Sequence, residues 1–306
     1  MLAVVHHPDY VAPAPARSGY QWNKNGLVRD LLAESGADID WIAPEPMPRA
    51  WIEQVHDADY VAQVLAAAVP REKERRIGFP VTPAIARRAQ LVAGGTYRAA
   101  LIAQERGFAA NSAGGSHHAL ADTGAGFCVL NDLAIAAVRL VAEGQAASVL
   151  IVDCDVHQGD GTAAQLAGRP GVATYSIHAE KNFPVRKGRS TLDVALPDGT
   201  GDAAYLDALT QSLPPLVDAV APDVILYQAG VDPHEADTLG RLDLSLDGLA
   251  ARDRFVAGLA RDRGIALAST LGGGYGADAL DVSRRHAASV LTLASAFTKT
   301  RLYLGA

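Results

Sequence analysis

The stretch Ser148-Val149-Leu150-Ile151-Val152-Asp153-Cys154-Asp155-Val156-His157 decides how this chain is to be read. Its first half is a short, apolar, β-branched run, and its second half turns abruptly acidic and imidazole-bearing. A buried strand that ends in ligand-type residues points to a parallel sheet, because such sheets bind their ligands beyond the carboxyl ends of the strands. Working outward, Leu2–Val5, Phe108–Asn111, Val172–Ile177, Val224–Gln228 and Ile265–Leu271 read as further strands. Helical patterns fill the intervals over Pro83–Arg106, Asp132–Glu143, Ala203–Ala219, Leu246–Arg263 and Ala277–Ala296. This alternation predicts one α/β domain spanning residues 1–306, with a central, mainly parallel sheet flanked by helices.

The residues just past the expected strand ends carry the chemistry. Gly114-Gly115-Ser116-His117-His118 follows one strand, and Asp153 to His157 ends the next. Ser176-Ile177-His178 closes a third, Asp232 follows a fourth, and Gly272-Gly273-Gly274-Tyr275 follows a fifth. In extended backbone Asp153, Asp155 and His157 project to one side while Cys154 and Val156 point away. Asp155 and His157 can then grip one ion, with Asp232 as a third ligand. Two carboxylates and one imidazole leave a coordination position open for water or substrate, the pattern of a catalytic site. These borderline donors suit Zn²⁺, with Fe²⁺ or Co²⁺ as alternatives.

Alone, an Asp-x-His is more often a helix cap beside a loop histidine, and Asp232 before Pro233 more often opens a turn. The company these residues keep reverses that weighting. His117-His118 can divide proton transfer between them, each oriented by a carboxylate, for which Asp153 and Asp160 are the candidates. The glycines before Tyr275 can swing its hydroxyl towards a developing oxyanion. A nucleotide loop is the competing reading, but the spacing is not G-x-G-x-x-G and no GK[ST] follows. The other histidine pair, His6-His7, reads as surface loop residues.

Composition narrows the partners. The formal net charge is −7 and there is no basic stripe, which argues against nucleic acid. No uncharged apolar run approaches the roughly 20 residues that span a bilayer, so no membrane association is expected. Met1 to Arg17 lacks the basic start and apolar core of a signal peptide. With only two cysteines, Cys128 and Cys154, a cytoplasmic address is expected.

Taken in order, the motifs resemble the histone deacetylase superfamily. They begin at His56-Asp57-Ala58-Asp59-Tyr60 and run through Gly-Gly-Ser-His117-His118, then Gly126-Phe127-Cys128-x-x-Asn131-Asp132, then Asp153 to Gly161. They continue with Gln228-Ala229-Gly230-Val231-Asp232 and Asp237-x-Leu239-Gly240-x-Leu242, and close at Gly273-Gly274-Tyr275. Arg76-Ile77-Gly78-Phe79-Pro80, Gly94-Gly95-Thr96 and the compact length look most like the class IV branch. The resemblance implies an arginase/deacetylase-like fold and a zinc-dependent hydrolase that removes acetyl or longer fatty acyl groups from Nε-acyl-lysine in proteins or peptides. It implies metal ligation by Asp155, His157 and Asp232, and catalytic roles for His117, His118, Tyr275, Asp153 and Asp160. Gly126, Phe127, Phe183 and Gly273 would wall the substrate channel. Asp153, Asp155, His157, Ser176 and Ile177 would hold a structural K⁺. Asp160 departs from the asparagine that class IV members often carry.

Three other readings stay open at this level. A ureohydrolase would need a second metal, but the residue two after His157 is Gly159. An acetylpolyamine or another small amide can replace the peptide substrate, and a non-catalytic module can read acyl-lysine without cleaving it. The sequence leaves acyl-chain length, native metal and oligomeric state open.

Overall fold

The computed structural model describes residues 1–13 and 20–298. Residues 14–17 of the segment read for a leader therefore lie outside the described residues. Eight strands form one sheet: β1 (Leu2–Val5), β2 (Ile39–Ile42), β3 (Phe108–Asn111), β4 (Val149–Asp153), β5 (Val172–Ala179), β6 (Leu192–Leu196), β7 (Val224–Gln228) and β8 (Ala266–Thr270). Their order is β2-β1-β3-β8-β7-β4-β5-β6, and every pairing is parallel.

Side-chain alternation divides the interior into two layers. Ala3, Val5, Ala109, Val149, Ile151, Val224 and Leu226 enter one core, which the helices Pro83–Arg106 and Asp132–Ala142 cover. Leu2, Val4, Ala110, Leu150, Val152, Ile225 and Tyr227 enter the other, beneath Lys24–Glu34, Asp202–Val220, Leu246–Asp262 and Ala279–Thr298. Burial on both faces is why the central strands read as continuous apolar runs rather than alternating ones. The 24-residue helix Pro83–Arg106 starts where the Thr82 side chain accepts from the Ile85 N–H, with Pro83 in its first turn, and it ends at Gly107.

The expected strands and helices occur within about two residues of their predicted limits. The sequence pattern did not show β2 and β6, the two outermost strands. Both are half-exposed and carry an acid in the middle, Asp40 and Asp193, so neither presents the uninterrupted apolar run of a central strand. Among the described residues no helix is long and apolar enough to cross a membrane. Cys128 and Cys154 are free and buried.

Candidate active site

Because all eight strands are parallel, the segments following β3, β4, β5, β7 and β8 leave the sheet at the same end. The residues singled out from sequence meet there. β4 stops at Asp153, so pleat alternation does not carry Asp155 and His157 to their places, contrary to the expectation of extended backbone. Instead the Asp155 N–H donates to Asp153 Oδ1 (3.1 Å) and the His157 N–H donates to Asp155 Oδ1 (3.0 Å). Two successive side-chain turns thus fold the three groups onto one side. Cys154 and Val156 point into the opposite core, fully buried.

Asp155, His157 and Asp232 place one ligand atom each within 4.8 Å of the others. The outer oxygens are already committed. Asp155 Oδ2 accepts from Gln228 Nε2 (2.6 Å) and the Gly273 N–H (2.8 Å), and Asp232 Oδ1 accepts from the Val156 N–H (2.8 Å). The remaining oxygens, Asp155 Oδ1 and Asp232 Oδ2, both face His157 Nδ1 at 3.0 and 3.1 Å. Burial and the neighbouring Asp155 charge push the Asp232 carboxyl up to about 7. Two buried carboxylates that repel one another around a shared imidazole are a donor set that a divalent cation satisfies. The residues therefore fit a metal ion. This is the one such cluster among the described residues.

The histidine pair sits beside this triad. His117 Nδ1 donates to Asp153 Oδ2 and His118 Nδ1 donates to Asp160 Oδ1, each at 2.7 Å. His117 Nε2 lies 3.8 Å from Asp155 Oδ1. Burial works against a charged His117, but the Asp153 and Asp155 carboxylates outweigh it and raise its pKa to about 9. For His118, burial and the nearby His117 win over Asp160 and lower the pKa to about 3. Tyr275 is held by its own N–H, which donates to Asp237 Oδ2 (2.6 Å). Among the described residues its hydroxyl has no hydrogen-bond partner. Burial, with Asp155 and Asp232 nearby, keeps it a neutral phenol far above its ordinary pKa.

Two cavities meet at this point. The outer one, about 310 Å³, is lined by Arg76, Gly126, Phe127, Phe183, His157 and Tyr275 among others. The inner one, about 40 Å³, is bounded by Lys24, His117, Asp155, Gly272, Gly273 and Tyr275 among others. Phe183 thus stands on the outer channel, Gly126 and Phe127 border both cavities, and Gly273 belongs to the inner one. Phe183 packs edge-on to His118 with ring centroids 4.8 Å apart. Phe127 holds a positive φ of 66°, a strained position of the kind found at ligand sites. Ser176 lies in register beside Asp153, and Ile177 follows it on β5.

Several residues that hold the site were not singled out from sequence. Asp132 accepts from the N–H groups of Gly115 (3.1 Å) and Ser116 (2.7 Å) and from Thr96 Oγ1 (2.6 Å), which fixes the loop carrying the histidine pair. That loop passes so close to the next that a Cβ on Gly115 would lie 2.6 Å from Gly272 Cα. Arg252, fully buried, donates through Nη1 to the carbonyls of Gly230 (2.6 Å) and Cys154 (3.2 Å). It thereby ties together the segments bearing Asp155 and Asp232. A helix whose apolar periodicity is interrupted by Arg252-Asp253 carries the only sequence hint of this clamp. His6 also departs from expectation, since its Nδ1 pairs with Ser112 Oγ (2.8 Å) and the ring is half-buried.

His56 joins two of these segments. Its Nδ1–H donates to the Leu120 carbonyl (2.9 Å) and its Nε2 accepts from the Asn131 N–H (2.9 Å). That pattern demands the neutral ring, and burial lowers the pKa from 6.5 to about 4. Above pH 6.5 both folded and unfolded states are neutral. As pH falls from 6.5 to about 4, the unfolded chain takes up a proton that the fold resists, so stability is lost across that window. At about 1.4 kcal/mol per tenfold change in proton affinity, the loss is on the order of 3 kcal/mol. Urea unfolding of the parent and a His56→Gln variant at pH 7 and pH 4.5 should show the gap between them narrowing on acidification. A gap independent of pH would refute the assignment.

Similarity to known proteins covers most of the chain. A histone deacetylase domain matches residues 21–291. An uncharacterized protein of Picosynechococcus sp. is 43% identical over 289 residues, 92% of this chain and 95% of that one. The acetoin utilization protein AcuC of Bacillus subtilis is 31% identical over 72% of this chain and 63% of its own length. Histone deacetylase 2 of Arabidopsis thaliana is 34% identical over 60% of this chain, a match that spans about half of that protein (48%). In three dimensions the HDA15 HD domain superposes with a TM-score of 0.80 at 23% identity, covering 98% of this chain and 88% of that one.

Proposed function

Because the chain belongs to the histone deacetylase family, we propose that it is a metal-dependent amidohydrolase that removes acyl groups from Nε-acyl-lysine. The observation that carries this reading is the convergence of the Asp155, His157 and Asp232 donors with two carboxylate-paired histidines and a tyrosine hydroxyl, without a hydrogen-bond partner among the described residues, where two cavities meet. A deacylase needs both cavities, one for the lysyl stem and one for the acyl group. The class IV likeness of Arg76 to Pro80 belongs to the same proposal.

Asp155, His157 and Asp232 would hold the ion, Zn²⁺ in the first instance and Fe²⁺ as an alternative. What such a cation supplies when bound is Lewis acidity toward the amide carbonyl and toward water. Phe127 and Phe183 guide the stem through the outer channel and keep bulk water away. With the Asp155 charge that helps protonate His117 offset by a bound cation, the His117 Nε2 would be open; oriented by Asp153, it takes the proton of the attacking water, and the histidine pair returns a proton to the departing lysine amine. Tyr275 donates its hydroxyl hydrogen to the oxygen on which negative charge develops. Asp153 with Ser176, Ile177 and the neighbouring Asp155 and His157 would hold K⁺ behind the site. The two buried free thiols accord with a reducing compartment such as the cytoplasm.

The test is turnover of a fluorogenic acetyl-lysine peptide. Hydrolysis should vanish on treatment with a chelator and return with Zn²⁺ or Fe²⁺. A chain loaded with metal that binds the peptide but does not cleave it would favour a reader and overturn the proposal.

A further inference from the structure

The mouth of the outer cavity carries charge opposite to that of the whole chain. Arg76 lines it, and Arg76 with Phe183 also borders an adjoining hollow of about 410 Å³ whose wall continues to Arg186 and Lys187. Some arginines elsewhere are neutralised, Arg49 by Glu53, Arg87 by Asp9, Arg106 by Asp40 and Arg263 by Asp218, whereas the two guanidinium groups that border the mouth are not. Arg76 and Arg186 are exposed, and among the described residues neither side chain enters an ion pair or donates a hydrogen bond. Lys187 Nζ is anchored by the carbonyls of Asn182 (2.5 Å) and Pro184 (2.8 Å), with donor capacity left over. The carboxylates nearby do not compensate. Asp160 in the floor is committed to His118, and Glu74 accepts from the Val81 N–H. Glu180, whose charge acts on Lys187, is the exposed acid on that segment.

From this we infer that the site selects an acyl-lysine flanked by acidic residues in a peptide or protein, and disfavours acylated polyamines. The inference rests on the deacylase reading of the same site. With the lysyl stem in the outer cavity, the adjoining residue of a peptide passes over the hollow walled by Arg76, Arg186 and Lys187. A carboxylate there meets two guanidinium groups free to pair with it, in the forked geometry that arginine offers. Exposed Phe183 (43%) and Val185 (97%) offer apolar contact to the peptide beside those charges. A polyamine brings a second ammonium into the same space, where it meets two guanidinium groups and, among the described residues lining the hollow, only the Asp160 carboxylate already bonded to His118.

The experiment compares acetyl-lysine pentapeptides flanked by Glu, Ala or Lys with N-acetylputrescine and N8-acetylspermidine, using the metal-loaded full chain. The same labelled peptides are also followed by fluorescence anisotropy. The Glu-flanked peptide should exceed the Ala-flanked one about fivefold in kcat/KM, mostly through KM. The Lys-flanked peptide and both polyamines should fall below the Ala-flanked one, and the spread should shrink at high salt. In an Arg76→Glu/Arg186→Glu variant the ratio of Glu-flanked to Lys-flanked rates should invert. Equal rates for the three peptides, a polyamine outperforming the acidic peptide, or an unchanged ratio in the variant would each overturn the inference. Anisotropy reads the charge preference without turnover, so a peptide series that binds in the expected order but is not cleaved would defeat the deacylase reading and leave the selectivity standing.

Discussion

Replacing Tyr275 by phenylalanine should lower kcat by about 10²–10³ while KM and the unfolding temperature stay close to those of the parent. The physical basis is that the hydroxyl of half-buried Tyr275 is neutral, has no hydrogen-bond partner among the described residues and lies where the two cavities join. Removing it therefore costs the fold no hydrogen bond. What disappears is one donor aimed at developing negative charge, a loss worth roughly 2.7–4 kcal/mol of barrier in comparable sites. The ring, which packs 5.6 Å from Phe127 and 6.4 Å from His157, remains as a wall. A fall in KM affinity with kcat intact would instead make Tyr275 a binding surface. An unchanged rate would remove it from the chemistry.

Gly273→Ala should be nearly as damaging for a different reason. A Cβ at this position would sit 2.0 Å from Asp232 Oδ2 and 2.7 Å from Asp155 Oδ2. The backbone cannot retreat easily, since the Gly273 N–H donates to Asp155 (2.8 Å) and its carbonyl accepts from the Val231 N–H (2.8 Å). Both carboxylates must turn, and the oxygens that face His157 turn with them. Loss of the groups that orient metal ligands typically costs 10–100-fold in affinity, and displacing two ligands directly should cost at least that. Competition with a chelating dye reads the metal dissociation constant independently of activity. Parent-like affinity would show that Asp155 and Asp232 do not hold the ion. The overpacking itself should take about 1–3 kcal/mol from stability.

Both predictions concern a residue that the sequence had already brought forward, and the reason is that the chemistry lies in short segments after strands. Gly-rich loops and runs such as Asp153-Cys154-Asp155-Val156-His157 are conspicuous because apolar strands stop abruptly at them. The supports of those segments are inconspicuous. Arg252 sits in a helix more than 90 residues from the Cys154 carbonyl it holds, and its meaning appears only when the fold brings its guanidinium against the segments that follow β4 and β7. Asp132 reads as an N-terminal helix acid until its carboxylate is seen collecting the N–H groups of Gly115 and Ser116. His56 reads as one member of a motif, with no sign of which backbone groups it joins. The edge strands β2 and β6 escaped for a related reason, since a strand covered on one side carries less apolar pattern than one covered on both.

By itself, then, the sequence disclosed the parallel α/β architecture, the ends of the central strands and the candidate residues Asp155, His157, Asp232, His117, His118 and Tyr275 that gather past them, because these follow from local patterning and from what must sit past a strand end. The tertiary structure alone decided how they act together. It replaced strand alternation by two side-chain turns at Asp155 and His157, and it paired each histidine with its own carboxylate. It also separated an outer channel from a small inner cavity and placed Arg76 and Arg186, which form no ion pair among the described residues, at the channel mouth of a chain whose net charge is −7. The physical reason is that distances between groups on different strands depend on sheet order and loop packing. Neither is encoded in any one segment.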